Sequence, residues 1–188
     1  MKLKVGEILE NIKLPNIDGN SFELESLKGK KVLISFHRFA TCPFCNLHIH
    51  QLVKNFDSFA DDFAIVAIFD SPLNHLQTHA ESHHAPFAIL ADDSNVYYQR
   101  FNVERSVLKT IKGFIKRFPT LIYAMFIKGY WPFPIKGNIF SMPLEILLDR
   151  DGRIEHIHKG KDEGDHIPLE DIKNFSKYGS TPIRGKDK

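Results

Sequence analysis

The chain holds two cysteines, and they stand three residues apart in Cys42-Pro43-Phe44-Cys45. Two thiols at that spacing can close and reopen a disulfide between them, provided one of them is available as thiolate. The start of a helix favours that form, because free N–H groups and the positive end of the dipole stabilise an anion there. The flanking residues predict such a placement. Lys31-Val32-Leu33-Ile34-Ser35-Phe36 reads as a buried strand, and Leu47, Ile49, Leu52, Val53 and Phe56 then recur at helical spacing, to about Phe59. Pro43 suits the first turn, where its missing N–H has no partner to lose. A structural disulfide, or half of a zinc site completed by His48 or His50, would use the same cysteines. The strand-to-helix position favours a redox pair over both.

Composition narrows the function classes. With 188 residues, 43% hydrophobic and 26% charged, the chain has enough apolar material for a single folded domain over residues 1–188. A net charge of +2 gives no basis for nucleic-acid binding. The first residues begin no apolar signal segment, and no apolar run reaches the roughly 18 residues of a membrane span. Two cysteines in that setting point to a reactive pair in a reducing, cytoplasmic location.

Further elements follow along the chain. Asp18-Gly19-Asn20 turns between two short strands. Phe63 to Phe69 reads as a buried strand, and Asp70-Ser71-Pro72 opens a helix that carries His75, His79 and His83 on one face, expected to be solvated. Phe87 to Leu90 is a short strand, followed by a helix capped near Asp92. Val107, Leu108, Ile111, Phe114, Ile115 and Phe118 form an apolar stripe beside Lys109, Lys112, Lys116 and Arg117. Met142 to Asp149 is a strand opening with Pro143; Asp151-Gly152 turns it back through Arg153 to His158, and Pro168 to Tyr178 is a last helix. The polar tail after Gly179 is expected to be mobile.

This order resembles the thioredoxin-like superfamily: an α/β three-layer sandwich with a central mixed sheet flanked by helices. Within it the chain is most similar to the peroxiredoxin-like branch, the alkyl hydroperoxide reductase and thiol-specific antioxidant type. The residues carrying the likeness are Val5-Gly6-Glu7, Leu14-Pro15-Asn16-Ile17-Asp18-Gly19, Ser26-Leu27-Lys28-Gly29-Lys30, Phe87-Ala88-Ile89-Leu90-Ala91-Asp92 and Leu148-Asp149-Arg150-Asp151-Gly152-Arg153-Ile154. It covers residues 5–101 and 141–178, leaving 104–140 as an insertion. The resemblance implies a cis peptide bond at Pro143 beside the cysteine pair. It also exposes two departures. The peroxiredoxin pattern of proline, threonine and cysteine aligns its cysteine with Cys45, its threonine with Cys42 and its proline with Arg38, and its distant arginine falls on Pro143. The buried acid that thioredoxins carry just before the Phe36 position is here Ser35.

The resulting expectation is a thiol–disulfide oxidoreductase of the peroxiredoxin-like group. Cys42, more exposed at the helix start, attacks an oxidised protein or small-molecule disulfide; Cys45 resolves the mixed disulfide; and a cellular thiol reductant restores the pair. Reduction of a hydroperoxide is the alternative within the class. A copper- or zinc-binding carrier using Cys42, Cys45 and His158 is the alternative outside it. The leading reading needs no cofactor and no metal. Cys42, Cys45 and Pro143 are the candidate catalytic residues, supported by Thr41, Arg38 and Glu145, the last as a replacement for the missing buried acid. The 104–140 insertion is expected to fold over the Cys42 end of the sheet. Its aromatic residues Tyr130, Trp131 and Phe133 need cover from the core, from a second subunit in a homodimer, or from a membrane surface.

Overall fold

A computed structural model describes residues 3–80 and 83–179, so the polar tail lies outside the described residues. Strand β3 (Lys31–His37) is the axis of the molecule, buried along its whole length as its apolar run requires. It pairs in parallel with β4 (Phe63–Phe69) and antiparallel with β6 (Leu144–Leu148). Adding β5 (Ala88–Ala91) beside β4 and β7 (Ile154–Lys159) beside β6 gives a mixed five-stranded sheet ordered β5-β4-β3-β6-β7. A two-stranded hairpin, β1 (Lys13–Pro15) with β2 (Ser21–Glu23), stands apart, turned by Gly19 at φ +87°.

Side-chain alternation divides the core into two layers. On one face Ile34, Phe36, Ile68 and Ile146 pack with Leu14 of the hairpin and with α3 (Val96–Arg100) and the residue after it. Phe36 stands edge-on to Tyr98 and Phe101, with centroids 5.2 and 5.8 Å away; such pairs add about 0.5–1.5 kcal/mol beyond their burial. On the other face Leu33, Ile65 and Leu147 meet Leu52 of α1 (Pro43–Lys54) and Ile172 and Phe175 of α6 (Leu169–Tyr178). Helix α2 (Leu73–Ala80) packs Leu76 and Ala80 beside Phe69, Ile89 and Ala91 on this same side.

The 104–140 segment, expected as an insertion, forms α4 (Val107–Lys116), capped by Ser106 accepting from the Lys109 N–H at 3.3 Å, then α5 (Phe118–Ile122) and a π-helical turn over Tyr123–Ile127. Pro119 restarts the helix as α5 just after the break at Arg117. No helix among the described residues is long and apolar enough to cross a membrane.

Several expectations are corrected. Helix α1 stops at Lys54, and Phe56–Ser58 forms a short 3-10 turn instead of continuing it. The bond before Pro143 is not cis; the cis bond among the described residues precedes Pro134. Ser141 is bridged to Arg105 and Met142 N–H donates to the Glu104 carbonyl just before Pro143. His75 and His83 are buried, not solvated: His75 meets the Ser71 hydroxyl at 3.2 Å, and His83 meets Asn46 Oδ1 at 2.6 Å. The apolar insertion is not absorbed by the core, since Trp131 is 48% and Phe133 69% exposed.

Candidate active site

The geometry of the cysteine pair follows from where β3 ends. The strand delivers Arg38 at its C-terminal end, the chain turns through Thr41, and Cys42 becomes the N-cap of α1 with Pro43 in the first turn. Cys42 Sγ accepts from the Cys45 N–H at 3.3 Å, which is the capping bond that a helix start leaves open. Asn46 locks the turn by donating to the carbonyls of Ala40 and Cys42, both at 2.9 Å.

Both cysteines are free thiols, with sulfurs 2.7 Å apart. Arg38, itself 1% exposed, places Nη2 3.2 Å from Cys42 Sγ, and its backbone N–H reaches Cys45 Sγ at 3.4 Å. Burial pushes the Cys42 thiol up. The Cys45 thiol donating to it, the charge of Arg38 and the Cys45 N–H together overcome that and draw it down to about 6. For Cys45 the balance is reversed. Burial, then its bond and charge interaction with Cys42, hold it well above the ordinary thiol range. A thiol drawn toward thiolate and a thiol held protonated, within hydrogen-bonding distance, are the two forms that disulfide chemistry needs.

The insertion roofs this pair. Arg38 Nη1 donates to the Ile139 carbonyl at 2.8 Å, the Thr41 hydroxyl to the Pro134 carbonyl at 3.0 Å, and the Ser71 hydroxyl to the Lys136 carbonyl at 3.1 Å. Phe114, Leu121 and Ile139 pack against the cluster that contains both cysteines. Cys42 is therefore fully buried and Cys45 is 1% exposed, which corrects the expectation of an exposed Cys42.

Glu145 is fully buried on β6, an interior strand, rather than solvated at an edge. It stands directly across from Ser35 in the β3–β6 register, and Ser35 donates to Oε1 at 2.9 Å. The Ile167 N–H donates to Oε2 at 2.5 Å, while His48 Nε2 and His166 Nδ1 face Oε1 at 2.9 and 3.3 Å. Burial works against the charge. The pull of His166 and then of His48 holds the Glu145 carboxyl well below the usual range. The His48 and His166 rings stack with centroids 3.8 Å apart and planes 6° from parallel. One ion cannot lie in both ring planes of such a stack, so His48, Glu145 and His166 have the residue types of a metal site without its geometry. The zinc arrangement that pairs His48 with the cysteines also fails, because His48 is turned to Glu145. His158 bonds to Asp165 instead, through the Asp165 carbonyl at 3.1 Å. A cleft of about 260 Å³, lined in part by Phe44, His48, Arg117 and His166, opens this cluster to the surface.

Pro143 is buried at the head of β6, where its carbonyl accepts from Gly160 N–H at 2.8 Å. Three residues escaped the sequence reading. His37 is buried with neither ring nitrogen bonded among the described residues, stacked on Phe69 with centroids 4.8 Å apart. His166 completes the Glu145 cluster. Glu163 is fully buried with both carboxylate oxygens unbonded among the described residues; burial pushes its carboxyl up, while the nearby Arg38 pulls it down. Only His37, one residue before Arg38, had a local signal. His166 and Glu163 come from the connection between β7 and α6, which shows no pattern in sequence.

Comparison with known proteins settles the family. The AhpC/TSA family model matches residues 5–157. The chain belongs to the AhpC/TSA family. It is thus a peroxiredoxin-like thiol oxidoreductase. Peroxiredoxin Bcp of Escherichia coli K12 is 25% identical over 159 residues, covering 82% of this chain and 85% of that one. A Buchnera aphidicola protein that also carries the name bcp is 30% identical over 102 residues, spanning 54% of this chain and 65% of its own length. Among solved structures, peroxidoxin BcpB of Mycobacterium tuberculosis superposes with a TM-score of 0.63 at 17% identity, covering 87% of this chain and 90% of that one, a likeness of fold.

Proposed function

We propose that Cys42 and Cys45 are the redox pair of a dithiol peroxidase, with Cys42 as the attacking sulfur. The observation that carries this reading is the Arg38 guanidinium 3.2 Å from Cys42 Sγ, with Cys45 Sγ 2.7 Å away on the same sulfur. The Cys42 thiolate attacks the outer oxygen of a hydroperoxide. The O–O bond breaks, Cys42 becomes a sulfenic acid, and the alkoxide leaves with a proton. Glu163, shifted toward its neutral form beside Arg38, is the proposed source of that proton. The Cys45 sulfur then displaces hydroxide from the sulfenic acid, giving a Cys42–Cys45 disulfide and water. A cellular thiol reductant returns the pair to two thiols, a cycle suited to the cytoplasm.

The supporting residues divide by what they touch. Arg38 contacts the reacting sulfur and stabilises negative charge in a site closed to water, where a fixed cation acts most strongly. Thr41 ties the helix start to the roof through Pro134. Glu145 holds His48, one turn beyond Cys45 on α1, and is the proposed anchor for a proton path away from the resolving thiol. Pro143 is proposed to fix the start of β6, and thereby Glu145.

A second reading keeps the pair and takes a protein disulfide as oxidant. The low pKa of the first thiol in a Cys-x-x-Cys motif supports it. The roof opposes it, because a protein disulfide must reach a sulfur with no exposed surface. Stopped-flow oxidation of the reduced protein by hydrogen peroxide, an alkyl hydroperoxide and an oxidised protein disulfide tests the choice. The peroxidase reading expects the hydroperoxides to react faster, and a faster reaction with the protein disulfide would refute it.

A further inference from the structure

We propose that the outer face of the 104–140 insertion is a docking surface for an anionic phospholipid bilayer. Of the sixteen exposed large hydrophobic side chains among the described residues, twelve lie between Val107 and Ile135. On α4 the exposed set is Val107, Leu108, Ile111 and Ile115, while Thr110 and Gly113 face inward. At about 100° per residue the four exposed residues share one arc, and Lys112, Lys116 and Lys109 occupy the arc beside it. The pattern continues through Phe118, Ile122 and Phe126 at helical spacing, and Phe126 meets Trp131 edge-on with centroids 5.2 Å apart. An apolar face of this size is too large to leave to water.

Charge selects what covers it. Residues 104–140 hold seven Lys and Arg and a single acid, Glu104, for a net of +6 in a chain whose total is +2. Glu104 pairs with Lys109, and Asp162 with Lys116 and Arg117. Lys112, Lys128 and Lys136 have no carboxylate partner among the described residues. A two-fold dimer through this face would set the positive segment against its own copy. An anionic bilayer supplies both what the apolar arc needs and what the lysines need, with aromatic rings at the headgroup level. The inner side of the same segment supplies the Pro134 and Ile139 carbonyls that roof the cysteines, so docking would lay that roof against the lipid.

The test is co-sedimentation of the intact protein with vesicles of phosphatidylcholine alone and of phosphatidylcholine mixed with phosphatidylglycerol. Binding should favour the anionic vesicles by about tenfold or more, weaken with added salt, and shift Trp131 emission to the blue. Lys112→Glu and Lys136→Glu should each weaken binding to anionic vesicles by about fivefold or more. Ile115→Asp and Phe126→Asp should abolish it while leaving turnover of a soluble hydroperoxide unchanged, since neither residue touches the cysteine site. Equal affinity for both vesicle types overturns the proposal, as does absence of binding at low salt. A dimer in light scattering that Ile115→Asp or Phe126→Asp dissociates would also overturn it, by assigning the face to a second copy. Vesicle binding, Trp131 emission and light scattering do not depend on the cysteines, so the peroxidase reading stands or falls separately.

Discussion

Replacing Arg38 by methionine should move the titration of Cys42, and the size of the move can be worked from the site. Guanidinium and sulfur are in contact at 3.2 Å. With charge centres about 4 Å apart and an effective dielectric constant of about 20, their attraction is about 4 kcal/mol, which sets an upper limit of about 3 pKa units. The Cys45 donors remain, and so does burial, so a rise of about 2 units, from about 6 to about 8, is the expectation. The rate at neutral pH is a poor readout. The thiolate fraction at pH 7 falls about tenfold. A thiolate of higher pKa is more nucleophilic, and with a Brønsted slope of about 0.4–0.5 a 2-unit rise returns most of that loss. The diagnostic quantity is the midpoint. The assay is reaction with a small pyridyl disulfide as a function of pH, comparing Cys45→Ser with Cys45→Ser/Arg38→Met, so that only Cys42 reacts and a hydroxyl still donates to it. At pH 5 the arginine-free protein should be about tenfold slower, and above pH 8 it should be the faster of the two. Loss of the bond to Ile139 can loosen the roof, but that changes the rate at every pH and leaves the midpoint alone. A midpoint that stays where it was would refute the assignment of Arg38 as the group that charges Cys42.

In the wild-type protein, reaction of Cys42 with a small oxidant should climb about tenfold per pH unit up to about pH 6 and then level, because a lowered pKa means the thiolate is complete above it and lost below. Cys42→Ser should abolish turnover, whereas Cys45→Ser should accumulate Cys42 as sulfenic acid or mixed disulfide, visible by mass spectrometry; loss of all oxidant reactivity in Cys45→Ser would make Cys45 the attacking sulfur. Glu145→Leu strips two buried histidines, Ser35 and an N–H of their acceptor and should lower unfolding stability by about 3–5 kcal/mol in urea titrations. Its folded pKa is depressed, so the wild-type advantage should be full above the ordinary carboxylate range and be lost progressively as pH falls from that range through the lower folded pKa. Gly137→Ala puts a Cβ 1.8 Å from the Asp70 carbonyl oxygen at a φ of +129°, so the roof should lift, with a lower Tm and faster alkylation of Cys42.

What the sequence made legible was what is local. The strand from Lys31, the helix from Pro43, the Asp-Gly turn and the order of elements each follow from a period or a turn signal, and each stands where its residues point. Exposure was misjudged wherever it depends on a distant segment. Nothing near Cys42 says that residues 134–139 will cover it, and nothing near His83 says that Asn46 will bond it. The stripe on α4 leaves core, second subunit and membrane open in sequence, because apolar periodicity reports one-sidedness and not which side is buried. Here the buried side is Thr110 and Gly113, small enough for Glu163 to lie against the helix backbone. The cis expectation at Pro143 rests on resemblance alone, and no residue near it in sequence reports the isomer; the cis bond among the described residues precedes Pro134.

Glu145 shows how a departure in one strand can be answered in its neighbour. Position 35 faces the layer beneath α1, and in this chain it holds a hydroxyl where thioredoxins hold an acid. Residue 145 is its cross-strand partner, so its side chain rises into the same layer, and the Ser35 hydroxyl donates to the carboxylate that replaces it. A carboxylate moved one strand over no longer has the same neighbours. It lies nearer the connection into α6, which supplies His166 and the Ile167 N–H, while α1 supplies His48. Each of those donors offsets the cost of burying the charge, so the set is stable only when complete. Completing it fixes His48 on the helix whose first turn holds both cysteines, and thereby couples the packing of β6 and the α6 connection to the orientation of the cysteine pair. A charge in the middle of Leu144-Glu145-Ile146-Leu147-Leu148 is the sequence trace of that coupling, because a buried strand keeps a carboxylate only where other elements bring it donors.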